Sequence, residues 1–256
     1  MMIRTHLDKG IWAIAMLATL GFTGTAWAVD CGLLLNFSDS QYTMCFTDVR
    51  RGGDINDNGA VDLGGTGHTA LNFTGGAGPA GDTWLTKFTP NGGTKICTNT
   101  TVTADVLIHT YNNTKGAGLA ALLNFGPGDR GLALILYDQG NSDALQLATI
   151  DPATGKLTKL KSVSLGAGIA ENAWYRLQLT VTILFDQVFV SGSVFRFMKP
   201  TDPDGPLDGL VGPVLFFQDS PSAIGLDNQG EVGIVASAFS TTVNSSVTNW
   251  RVEHCT

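Results

Sequence analysis

From Asn99 onward apolar and polar residues alternate with period two. Val102, Ala104, Val106 and Ile108 fall on one face of their segment. In the stretch 174–184, Tyr175, Leu177, Leu179, Val181 and Ile183 share a face, and Arg176, Gln178, Thr180 and Thr182 take the other. Near the end, Trp250 and Val252 oppose Asn249, Arg251 and Glu253. Such alternation puts one side of each strand on a core and the other toward water, as in antiparallel sheets. Two further runs, 118–125 and 131–138, are apolar on both faces and predict interior strands covered on both sides. Turn residues separate the runs: Gly126-Pro127-Gly128-Asp129, Gly140-Asn141, Asp151-Pro152-Ala153-Thr154-Gly155 and Gly166-Ala167-Gly168. The spacing predicts roughly twelve strands and no amphipathic helix, hence an all-β sandwich or barrel. The stretches 49–67 and 199–209 are rich in Gly, Asp, Asn and Pro and are expected to be long loops. A repeated Gly-Ala-Gly, at 76–78, 116–118 and 166–168, is expected to mark turns.

The first 28 residues read as an export signal. Arg4 and Lys9 precede an apolar run from Ile11 to Phe22, and Ala26-Trp27-Ala28 supplies the small-x-small cleavage pattern. That run is shorter than the ~20 residues a membrane-spanning helix needs. The expected mature chain is one domain, 29–256, in a secreted, extracellular or periplasmic setting. No later stretch reaches the length of a membrane helix without Gly or polar interruption.

Composition narrows the function classes. The chain has 15 Lys+Arg against 22 Asp+Glu, a net charge of −7, so its summed field repels nucleic acid and anionic lipid. Hydrophobic residues make up 43%, enough to support a core and to exclude disorder. With 32 Gly and only three Glu, a helical bundle is disfavoured.

Cys31, Cys45, Cys97 and Cys255 form an even set whose spacing lacks the close pairs of a zinc site. In an exported chain they predict two disulfides, with three possible connectivities. If the first and last strands pair, the chain ends meet, which favours Cys31–Cys255 and Cys45–Cys97.

The segment 102–138, with an extended strand, a Gly-rich turn and strands opening on Gly and two apolar residues, resembles the middle of a concanavalin A-like jelly roll. The step Trp174-Tyr175-Arg176-Leu177 into a long strand resembles laminin-G-like domains and the 3-keto-disaccharide hydrolase family. Residues 230–234 and 247–252 resemble the last two strands of that group. The resemblance covers about 70–255 and implies a two-sheet antiparallel jelly-roll sandwich with a carbohydrate-binding face. Function needs a site argued separately from fold.

Retaining glycosidases need two carboxylates ~5–5.5 Å apart. Here the Glu residues are Glu171, Glu231 and Glu253, at no such spacing, and neither the alginate-lyase strand motifs nor a nucleophile elbow is present. His109 falls on the polar face of a strand. For metal, Asp54, Asn56, Asn58 and Asp62 with Gly59 give the oxygen-ligand spacing of a calcium loop, except that Gly65 stands where its bidentate acid belongs. Asp202, Asp204 and Asp208 form a second acidic loop. Trp174 and Trp250 are expected in the core. Trp84, Tyr111 and Tyr137, at strand ends, are the candidate sugar-stacking rings, with Asn112 and Asn141 to bond hydroxyls. Asn-x-Ser/Thr sequons occur at Asn36, Asn72, Asn99, Asn112 and Asn244.

Three functions stay open: a non-catalytic module binding a polysaccharide or glycoprotein glycan, a structural or adhesive surface subunit that self-associates, and a polysaccharide hydrolase or lyase.

Overall fold

The computed structural model describes residues 31, 33–34, 38–51, 56–62, 69–75, 82–109, 115–138, 143–166, 168–238 and 243–255. Their strands are β1 (Leu33–Leu34), β2 (Phe46–Arg51), β3 (Asn56–Asp62), β4 (Thr69–Gly75), β5 (Asp82–Phe88), β6 (Thr100–Ile108), β7 (Lys115–Leu123) and β8 (Gly131–Asp138). They continue with β9 (Asp143–Ile150), β10 (Leu157–Gly166), β11 (Trp174–Leu184), β12 (Gln187–Phe197), β13 (Leu207–Leu210), β14 (Leu215–Asp219), β15 (Glu231–Ala238) and β16 (Val243–Glu253). One sheet runs β10-β9-β8-β7-β15-β5-β2. The other runs β13-β12-β11-β6-β16-β4-β3, with β14 also on β12 and β1 on β16. Neighbouring strands are antiparallel throughout, so the predicted two-sheet sandwich is the observed one.

The alternation places the core where it was expected. Val102, Ala104, Val106 and Ile108 are buried, as are Leu177, Leu179 and Val181, and all face the strands of the other sheet. Rings fill one end of this layer: Phe73 lies 4.4 Å from Trp84 between centroids, and Phe46 lies 5.1 Å from Trp250. Trp174 and Trp250 are buried as expected. β7 and β8 are interior strands buried on both faces, and Ala120, Ala133, Ile135 and Val235 form a second apolar cluster opposite the main core.

Four local expectations are corrected. Gly116 and Gly118 lie inside β7 rather than in a turn. A Cβ there would collide with the carbonyls of Leu136 and Leu134, so glycine allows close strand approach. The stretch 49–67 contains the end of β2 and all of β3. Among the described residues β3 is the outermost strand of its sheet, paired with β4 alone, and is irregular between Asp57 and Ala60; an edge tolerates such polar, Gly-containing sequence. The second expected loop, 199–209, gives way to β13 at Leu207. Finally, a short helix, Asp39–Cys45, is started by a capping box. The Ser38 hydroxyl accepts from the Gln41 N–H at 3.2 Å, and the Gln41 side chain accepts from the Ser38 N–H at 3.0 Å.

The disulfides are Cys31–Cys45 and Cys97–Cys255, which corrects the favoured pairing. The first and last strands do pair, Leu33 opposite Arg251 and Leu34 opposite Trp250. That register carries Cys31 toward Glu253 and two residues short of Cys255. Cys31 instead meets Cys45 at the end of the helix. Cys255 meets Cys97, which a two-way backbone bridge holds against Gly230.

Candidate functional site

The face of β11, β12 and β14 turned away from the core carries an unusual mixture of side chains. Val181, Val188, Val190 and Leu215 point into the core, so alternation turns Thr180, Thr182, Phe189, Ser191, Phe216 and Gln218 outward. Register arranges them in rows. Thr180 faces Ser191, which faces Phe216; Thr182 faces Phe189, which faces Gln218. Phe189 is 39% exposed and Phe216 65%. These side chains line a cavity of about 480 Å3, together with Lys161, which reaches in from β10. Lys161 is the charged residue of the lining, and no carboxylate is among the lining residues. Thr101 and Thr180 share a hydroxyl hydrogen bond of 3.1 Å at the cavity's inner edge.

Further along the same face the surface is closed. Asp105, directly opposite Arg176, is fully buried. Arg176 donates to both of its oxygens, Nε to Oδ1 at 2.7 Å and Nη2 to Oδ2 at 2.9 Å, while its guanidinium lies 5.2 Å from the Phe197 ring centre. Asn249 donates to Asp105 at 2.8 Å and to the Pro203 carbonyl and Asp204 at 3.2 Å each, fastening the 199–206 turn onto the sheet. Burial pushes the Asp105 carboxyl up, against the downward pull of Arg176 and Asn249. This network is a structural clasp that ends the groove.

The sequence-predicted ligand residues lie elsewhere. Trp84 is fully buried between the sheets, so it is a core ring and not a stacking platform. Tyr137 is 2% exposed, donates to Ser237 at 3.4 Å, and burial pushes its phenol up to about 12. Both stand within strands whose two faces are covered, which a reading of strand ends misjudges. Tyr111, Asn112 and Asn141 lie outside the described residues, as does Asp54. Asn56, Asn58 and Asp62 run along β3. Among the described residues no three acidic, His or Cys side chains gather as a metal group.

Two other groups resemble catalytic parts and are accounted for by packing. Glu231, 7% exposed, takes a 3.4 Å contact from Lys87, and burial pushes its carboxyl up. His109 shares a 2.8 Å hydrogen bond with Ser246 and is lowered by burial.

Phe189 and Phe216 went unmarked in the sequence reading. Their signal was there: Phe189, Ser191 and Ser193 share the polar parity of β12, where an aromatic ring has no core to enter.

The chain has the concanavalin A-like jelly-roll fold. Its structure is similar to a GH43 glycoside hydrolase engineered for both endo-xylanase and exo-arabinofuranosidase activity, with a TM-score of 0.53 and 12% identity. That likeness covers 92% of this chain but 43% of the hydrolase. It is also similar to the carbohydrate-binding module CBM66 from Bacillus subtilis, with a TM-score of 0.45 and 13% identity over 82% of this chain and 96% of the module. Lectin I from Ulex europaeus, in complex with the methyl glycoside of α-L-fucose, gives 0.45 and 12% over 86% and 95%. No family model and no curated protein matches the sequence.

Proposed function

We propose that this protein binds carbohydrate on the outer face of β11, β12 and β14 and does not turn it over. One observation carries the reading: two exposed phenyl rings stand among hydroxyl and amide side chains in a cleft of about 480 Å3 whose lining holds no carboxylate. Aromatic faces stack on the apolar faces of sugars, and the polar neighbours bond hydroxyls. Glycoside hydrolysis needs a carboxylate pair at the bound sugar, which this cleft does not supply.

The two disulfides fit an oxidising compartment. With the leader read from the sequence, they support export and cleavage after Ala28, testable by intact mass of the secreted chain.

The test is retention on insoluble and arrayed polysaccharides, run with calcium and with a chelator. Retention without release of reducing ends or unsaturated products is expected. Phe189→Ala or Phe216→Ala should weaken it by about 1 kcal/mol, going by aromatic-contact magnitudes. Product release would establish a hydrolase or lyase. An empty array with folded protein would leave the structural or adhesive surface subunit.

A further inference from the structure

The two phenyl rings belong to a longer pattern. Phe216 on β14, Phe189 on β12 and Leu184 on β11 form a diagonal, each one strand over and two residues along from the last. All three have the outward parity of their strands, and they are 65%, 39% and 50% exposed. Diagonal neighbours across a sheet stand roughly 7–8 Å apart, so the three cover about 15 Å. Phe185 follows at the β11–β12 turn, 96% exposed with φ 50°, a left-handed backbone conformation that usually falls to Gly, Asn or Asp. The flanks of the diagonal differ in kind. Thr180, Ser191 and Thr182 put hydroxyls on one side. Gln187 and Gln218 put amides on the other, and Gln218 donates to Gln187 at 3.5 Å across the strands.

Building on the proposed sugar site, we infer that the ligand is a linear polysaccharide lying lengthwise along this diagonal, with several consecutive sugars in contact, and not a single terminal sugar. The stripe is longer than one pyranose ring. It is one side chain wide with polar groups on both edges, which matches a chain of rings that are apolar on their faces and hydroxylated along their rims. A protein partner would call for a broad apolar core to its interface instead.

Cello-, xylo-, manno- and laminari-oligosaccharides of one to six sugars serve as probes, with affinity measured by calorimetry on the full mature chain. In the series that binds, affinity should climb at least ten-fold between two sugars and five. The double variant Leu184→Gln plus Phe185→Gln should lose at least five-fold on the longest probe and leave the disaccharide unchanged. Phe216→Ser, inside the sugar cleft itself, should weaken the disaccharide and the longest probe alike, and a thermal melt confirms that each variant is folded. Length-independent binding that Phe189→Ala alone abolishes would overturn the extended-chain inference while the sugar site stands. No binding of any probe or polymer by the folded protein would overturn both.

Discussion

Replacing Arg176 with Ala isolates the energetics of the clasp beside the groove. Asp105 has no exposed surface, and its two oxygens take bonds of 2.7 and 2.9 Å from Arg176. Removing one partner of a buried ion pair typically costs about 3–5 kcal/mol, because the other charge is left uncompensated. Two features put this case at the lower end. Asn249 still donates to Asp105 at 2.8 Å, and the Arg176 side chain is 33% exposed, so water enters where it stood. A loss of about 3 kcal/mol lowers the melting temperature of a domain this size by about 6–12 °C. The deficit has a definite pH sign. Burial already raises the Asp105 carboxyl, and without the guanidinium it rises further. Between the ordinary unfolded value and the raised folded one, the folded chain holds the extra proton, so stability falls as pH rises. The variant's deficit against wild type should therefore be larger at pH 7 than at pH 4.5. Urea unfolding at both pH values, followed by tryptophan fluorescence, measures it. A deficit under about 1 kcal/mol at pH 7, or one that does not change with pH, would refute the reasoning.

Three further outcomes are expected. Non-reducing peptide mapping should recover Cys31 linked to Cys45 and Cys97 linked to Cys255; a Cys31–Cys255 peptide would contradict the register of β1 on β16. Trp84→Ala should cost about 3–5 kcal/mol of stability as a large-to-small core change, whereas Tyr137→Phe should leave polysaccharide retention at the wild-type level. In an alkaline titration followed by phenolate absorbance, Tyr137 should ionise only near pH 12 or on unfolding, because its pKa is raised in the folded state and stability falls as pH climbs beyond the ordinary tyrosine value. Ionisation of Tyr137 near pH 10 while the chain is still folded would count against its burial.

The sandwich was legible because period two is a strong constraint: a strand with one wet face must alternate, and β6 and β11 do. The apolar-on-both-faces runs were equally readable as β7 and β8. What sequence could not reveal was which strand borders which. Whether Trp84 is a platform or a core ring depends on β5 lying between β15 and β2 with Phe73 packed over it, a relation across distant segments. The disulfides show the same limit at finer scale. Pairing of the chain ends was inferable, but a two-residue difference in register decides which sulfurs meet. The groove depends on register too, since Phe189 and Phe216 become neighbours only when β14 returns to lie on β12.

The order of strands has a consequence for how the molecule is made. β15 sits in the interior of one sheet, between β7 and β5, and β16 in the interior of the other, between β6 and β4. These are the last two strands in the chain. While the polypeptide is being synthesised, each layer therefore lacks its middle. Four strand edges, on β4, β5, β6 and β7, then have nothing to bond to. Loop-closure entropy sets the pace of such distant pairings, so the nascent chain has no stable half-sandwich to stop at. Both layers can close only late, once residue 253 has arrived and Cys255 can reach Cys97.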